Sequence, residues 1–265
     1  MYWRKKMEDL LKLKGKNIVV MGVANERSIA WGVAKSLYKA GANVIYTYRL
    51  DRSLQKLTKL LEKYEYPSDL VVQCDVNDDE SVQNAFREIG EKVGVIHGIV
   101  HSVAFARAED LKGDFIDTSR DGYAFAQDTS AYSLIAVAKA ARPYMTEEGS
   151  IVTMSYIGAE RAVPGYSVMG IAKASLEASV RYLALDLGEN GIRINAISAG
   201  PIRTLAAKGV PGFNDILRLI EEKAPLKRNV TQEEVGDMSL AMLSQLSRGV
   251  TGEVIYVDSG YNILA

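Results

Sequence analysis

NIVVMGVANERSIAWGVAKSLYKAGANVIYTY, residues 17–48, decides how this chain folds. Residues 17–22 form a continuous apolar run of strand length. Residues 28–40 carry apolar side chains at helical spacing and end at Gly41, and residues 43–48 are a second β-branched and aromatic run. Strand, glycine turn, helix and strand in that order make a βαβ unit, whose two strands run parallel and whose crossover is right-handed.

The same alternation continues outward. Helical patterns over 51–64, 78–92, about 120–145, from Tyr166 onward and over 232–246 are interleaved with strand-like runs at 70–74, 96–103, 151–154, 193–198 and 253–257. This predicts an α/β fold: one doubly wound parallel sheet of about seven strands with helices on both faces. No Pro- or Ser-rich linker divides the chain, so residues 15–265 read as a single domain preceded by an extension, residues 1–14. Residues 199–229 interrupt the rhythm with Gly200-Pro201, Pro211-Gly212 and a short helical pattern near 214–223. A loop of that length on the carboxyl side of a sheet reads as a binding lid.

Composition narrows the function. Of 265 residues, 48% are hydrophobic, enough for a large core, and 32 basic against 33 acidic residues leave a net charge of −1. That balance provides no electrostatic footprint for nucleic acid or an anionic membrane. The one cysteine, Cys74, excludes an internal disulfide and a thiolate metal cluster. The opening MYWRKKMEDLLKLKG breaks into charges before any apolar segment forms, and no run approaches the roughly 20 apolar residues that span a bilayer. A cytoplasmic protein is expected.

The first β-α turn, Gly22 to Gly32, lacks a strict G-x-G-x-x-G because Ala24 takes the second glycine's place. Gly22 still permits a tight turn, and a helix beginning near Ser28 offers free N–H groups and a positive dipole end to a pyrophosphate. After the second strand come Arg49, Leu50, Asp51, Arg52 and Ser53. Arg49 favours a 2′-phosphate and therefore NADPH, whereas Asp51 keeps NADH open. Asp75 is placed to accept from an adenine amino group or to serve as a turn residue. His97 and His101 share a strand face without a third ligand, so no metal site is expected.

Residues 150–181, SIVTMSYIGAERAVPGYSVMGIAKASLEASVR, combine strand, loop and helix, bringing Tyr156, Tyr166 and Lys173 together. Lys173 lies seven residues, about two turns, beyond Tyr166. Read alone, this stretch allows a packed pair of tyrosines with a solvated lysine as readily as an active site.

Six strings carry a family resemblance: GVANERSIAWGVA (22–34), CDV (74–76), HSVAF (101–105), SYIGAERAVPGYSVMGIAKASLEASVRYLA (155–184), RINAISAGPIRTLAAKG (193–209) and TGEVIYVDSG (251–260). From about Lys14 onward the chain resembles the bacterial enoyl-acyl-carrier-protein reductases, a divergent branch of the Rossmann-like short-chain dehydrogenase/reductase superfamily. Carbonyl-reducing members resemble a Tyr-x3-Lys pattern with a serine thirteen residues before the tyrosine; here those places hold Met169 and Tyr156. Tyr166 and Lys173 instead match the Tyr-x6-Lys spacing of the enoyl reductases.

The resemblance implies reduction of the C=C bond of enoyl thioesters by NADPH or NADH, with acyl-carrier protein as partner and a homotetrameric assembly. It implies that Tyr166 donates to the enolate oxygen, that Lys173 holds the nicotinamide ribose and lowers the phenol's pKa, and that Tyr156 is auxiliary. Gly22, Ser28, Ile29, Arg49, Arg52, Ser53, Asp75, Val76, Ser102, Val103, Lys173, Ile202 and Thr204 would contact the cofactor. Ala104 and Ala106, with both tyrosines, would face the acyl chain beneath a lid from Leu205 to Ile220. A carbonyl reductase and a non-catalytic dinucleotide sensor are the competing readings.

Overall fold

A computed structural model describes residues 10–67, 70–205, 207 and 212–264. Residues 1–9 of the expected extension, and residues 206 and 208–211 of the expected lid, lie outside these. Leu13, which the sequence reading leaves in the extension, is buried in the core.

Seven strands form one parallel sheet: β1 (Asn17–Met21), β2 (Asn43–Tyr48), β3 (Val71–Gln73), β4 (Ile96–His101), β5 (Met145–Ser155), β6 (Arg193–Ala199) and β7 (Val254–Val257). Their order is β3-β2-β1-β4-β5-β6-β7. The helices are α1 (Ile29–Lys39), α2 (Asp51–Lys63), α3 (Asp79–Val93), α4 (Arg120–Gln127), α5 (Ser133–Ala141), α6 (Ser167–Gly188), α7 (Phe213–Lys223) and α8 (Gln232–Leu243). Both sheet faces are covered, which is why the strands read as unbroken apolar runs. In β1, Val19 and Met21 enter one core cluster with Phe86, Leu134 and Leu176. Ile18 and Val20 enter the other with Trp31, Leu37 and Leu243.

The order of winding reverses between β1 and β4, which pair with Met21 opposite His101. Ligands of such sheets sit in the crevice beyond the carboxyl ends of the strands at this point. Helix α1 leaves that crevice and packs tightly on α8. A β-carbon at Gly32 would meet the Gln232 carbonyl oxygen at 2.6 Å, and one at Gly236 would meet the Gly32 carbonyl oxygen at 2.7 Å. Gln232 Nε2 also donates to the Glu26 and Ser28 carbonyls. Helix α8 itself begins in a capping box between Thr231 and Glu234.

One expected helix is broken. The pattern over 120–145 becomes α4, a π-helical turn at Asp128–Tyr132, α5, and a 3-10 turn at Arg142–Tyr144. Ser130 Oγ accepts from the Phe105 N–H at 3.0 Å and donates to the Phe105 carbonyl, holding the π turn against the loop after β4. Pro143, without an N–H, ends the second half. The strand before the tyrosines also begins earlier than expected, at Met145 rather than Ile151.

Candidate active site

The crevice starts at Gly22, whose φ of +93° is a conformation that glycine adopts freely and whose missing β-carbon would stand 2.0 Å from the Ser102 carbonyl oxygen. The turn after β1 therefore lies flush against the end of β4, which a side chain would prevent. Ser28 then accepts at Oγ from the Ala24 and Asn25 N–H groups at 3.0 and 3.1 Å. It makes no side-chain cap on α1, so the first turn of that helix, with the half-buried Ile29, keeps its orphan N–H groups for an anion. A flush glycine and an uncapped helix start fit a dinucleotide pyrophosphate.

Arg49 and Asp75, the two expected adenosine contacts, meet each other: Arg49 Nε lies 2.7 Å from Asp75 Oδ2, with the arginine side chain 55% exposed. Asp75 Oδ1 also accepts from the Asn77 N–H, the turn role open to it in the sequence. Arg52 is exposed and Ser53 half-buried in the first turn of α2, and Val76 is buried. Ser102, Val103, Ile202 and Thr204 are half-buried, Thr204 Oγ1 accepting from the Ala207 N–H.

The catalytic candidates sit where β5, the loop after it and α6 converge. Tyr156 follows the last residue of β5, and Tyr166 is the N-cap of α6. Their rings meet edge to face with centroids 4.9 Å apart. Tyr166 lies over Gly158, where a β-carbon would stand 2.5 Å from its Cδ1. Ala104, Ala106 and Tyr166 pack against Val168 and Met169 in one apolar cluster. The expected substrate side is therefore continuous with the Tyr166 ring. Met169, at the place of a carbonyl reductase's tyrosine, is a packing residue there, its sulfur accepting from Ser130 Oγ.

Lys173 is 5% exposed and donates from Nζ to the Met154 carbonyl at 2.7 Å. Burial lowers its pKa to about 8, with the carboxylate of Glu177 pulling the other way. Burial pushes the Tyr166 phenol up, and Tyr156 and Glu177 push it further. Burial likewise raises Tyr156, to about 12, with Tyr261 adding to it. Desolvation governs the phenol, and the contact of Lys173 is with the strand end. Both tyrosines remain neutral donors at pH 7.

A small cavity beside Tyr156 is lined by Ser198, Pro201, Ile220 of α7 and Tyr261, so the described part of the lid closes over the strand ends. His101, fully buried at the end of β4, is hydrogen-bonded to Thr153 and Ser133 and held neutral, its pKa lowered by burial to about 3. His97 Nδ1 accepts from the Asn17 N–H. Ser155, Gly158 and Glu177 lie within the 155–184 string but receive no role from it, although Glu177, four residues beyond Lys173, carries a signal in its spacing.

Comparison with known proteins agrees with this geometry. A family model described as enoyl-(acyl carrier protein) reductase matches residues 22–262. The chain is 60% identical over 255 residues to the NADH-type enoyl-[acyl-carrier-protein] reductase FabI of Bacillus cereus, covering 95% of this chain and 98% of that one. It is 58% identical to the NADPH-type enzyme of Staphylococcus aureus, covering 96% and 100%. A crystal structure of the Bacillus cereus reductase with NADP+ and indole naphthyridinone superimposes with a TM-score of 0.93 at 59% identity, over 96% of this chain and 98% of that one. Fold, strand-end crevice and the Tyr166–Lys173 spacing thus converge with near full-length identity: the chain belongs to the enoyl-acyl-carrier-protein reductase family.

Proposed function

We propose that this reductase transfers hydride from NADPH, in preference to NADH, to the β-carbon of trans-2-enoyl thioesters carried on acyl-carrier protein, closing each cycle of fatty-acid elongation. The observation that carries the reading is the constellation of the buried Lys173 with the half-buried Tyr166 and Tyr156 beside the apolar surface of Ala104, Ala106 and Met169.

The bound dinucleotide supplies the hydride; the chain supplies its placement. Gly22, Ser28 and Ile29 seat the pyrophosphate, Val76, Ser102, Val103, Ile202 and Thr204 line the crevice, and Arg49, with Arg52 and Ser53, receives the adenosine end. As hydride reaches the β-carbon, negative charge grows on the thioester oxygen. Tyr166, a neutral phenol held against Gly158, donates to that oxygen, and the bond strengthens as the charge grows. Lys173 holds the ribose hydroxyls, and Tyr156 stands by the substrate as a second donor. The described lid residues, 199–205, 207 and 212–229, exclude water.

The reductase domain is a single unit that takes in Leu13, and it works in the cytoplasm. Among the described residues no helix is long and apolar enough to cross a membrane. Tyr132 and Ile135, with Ile171, Tyr182 and Leu185 of α6, are exposed apolar side chains suited to pairing these two helical segments in a homotetramer.

Following NADPH and NADH oxidation with a crotonyl thioester and with an acetoacetyl thioester tests the activity. Oxidation with the crotonyl substrate is the expected result, and oxidation with the keto substrate alone refutes it. Tyr166→Phe lowers turnover more than cofactor affinity, whereas Lys173→Met weakens cofactor binding; equal affinity losses refute the division of roles.

A further inference from the structure

Lys173 and Glu177 project from successive turns of one face of α6 and take hold of consecutive residues of β5. Lys173 Nζ donates to the Met154 carbonyl at 2.7 Å, and Ser155 Oγ donates to Glu177 Oε1 at 2.5 Å. Lys173, Glu177 and Ser155 are 5%, 6% and 6% exposed, so a cation and a carboxyl group share a dry seam. The next residue of the strand end is Tyr156. A buried carboxyl group gains little from one hydroxyl partner and costs stability unless a charge nearby compensates it. Its position is therefore informative about what it serves.

We propose that Glu177 is a positioning residue of this site: its carboxylate, tied to β5 through Ser155, keeps the Lys173 ammonium charged for the cofactor ribose and locks α6 to the strand end that presents Tyr156. The proposal rests on the reductase reading above.

The electrostatics agree with the geometry. Desolvation pushes Lys173 down and Glu177 opposes it, while burial raises Glu177 and Ser155, Arg181 and Lys173 hold it down. The charged and titratable groups facing the pair are Tyr166 at the head of α6, Arg181 farther along it, Glu160 after β5, Tyr256 on β7 and His101 on β4. His101 stays neutral and both phenols stay protonated through neutral and mildly alkaline pH, so Lys173 is the buried group that changes charge near pH 8.

Binding of NADPH to the full chain, followed by nucleotide fluorescence between pH 6 and 10, tests the proposal in wild type, Glu177→Gln, Glu177→Asp and Ser155→Ala. Wild type loses affinity with a midpoint near Lys173's pKa of about 8. The glutamine variant, isosteric and able to accept from Ser155 but uncharged, loses it about one pH unit lower. The aspartate variant keeps the charge and the wild-type midpoint, and Ser155→Ala, which frees the carboxylate from β5, moves the midpoint in the same direction as Glu177→Gln but by less. An unmoved midpoint in Glu177→Gln, or an equal displacement in Glu177→Asp, overturns the proposal. Because the readout is binding, absence of crotonyl-thioester turnover in wild type refutes the reductase reading and leaves the comparison of midpoints intact.

Discussion

The ring of Tyr166 rests on the backbone of Gly158, so close that a β-carbon there would stand 2.5 Å from Cδ1 and 2.9 Å from Cε1. The phenol's position is set by this absent methyl group as much as by the helix that carries it. Gly158→Ala therefore displaces the ring from the thioester oxygen without touching the dinucleotide. The expected result is a kcat lower by about tenfold or more, equivalent to roughly 1.4 kcal/mol, with nucleotide affinity within about twofold of wild type. Steady-state kinetics beside a fluorescence titration reads both; an equal loss in the two places the damage elsewhere.

Lys173 is kept at a cost. A lysine held near pKa 8 instead of 10.5 binds fewer protons folded than unfolded between those values, so its penalty is full below pH 8 and fades as pH rises toward 10.5. Lys173→Met removes a penalty of roughly 3 kcal/mol at pH 7 but leaves the Met154 carbonyl without its donor, worth about 1 kcal/mol, and the buried Glu177 without its neighbouring cation. Because the lysine's penalty alone fades with rising pH, denaturant unfolding should find the stability difference moving in favour of wild type by roughly 3 kcal/mol between pH 7 and pH 10.5. A difference that stays constant over that range contradicts this account.

His101 works in the acid direction. Its neutral ring is satisfied by Thr153 and Ser133, and its pKa falls from 6.5 to about 3. The unfolded chain takes up the proton first, so stability is intact above pH 6.5 and drains as pH falls toward 3, by up to roughly 5 kcal/mol from this residue. His101→Asn lowers stability at pH 7, and the gap to wild type narrows on acidification. Urea midpoints measured at pH 7 and pH 4.5 that differ by the same amount between the two proteins would count against it.

Arg49 is already paired with Asp75, and a 2′-phosphate has to compete for it. Arg49→Gln removes a charge-assisted contact worth roughly 1.5–3 kcal/mol and should raise KM for NADPH by about tenfold or more, leaving KM for NADH within about twofold. An unchanged ratio of the two constants removes Arg49 from cofactor choice.

The sheet was legible because buried parallel strands leave unbroken apolar runs such as residues 17–21, and the crevice was legible because glycine turns and strand ends recur there. The break at Asp128–Tyr132 was not, because it arises from Ser130 bonding across space to Phe105, a contact without a local sequence pattern. For the same reason the sequence placed Tyr166 and Lys173 on one helix but missed the sites that fix them. Gly158 and Ser155 act through a neighbour's ring and carboxylate, respectively. The pairing of Arg49 with Asp75 was not legible, since pairing between two loops depends on the strand order rather than on spacing.

The interlocked glycines of α1 and α8 extend the reach of the nucleotide. With no side chain between Gly32 and Gly236, the two helices are packed backbone to backbone, and Gln232 ties α8 to the turn proposed to seat the pyrophosphate. Occupancy of that turn should therefore damp the opening of α8, and amide exchange along α8 should be slower with nucleotide present than without it. A helix far down the chain from residues 22–30 becomes a reporter of whether the crevice is filled.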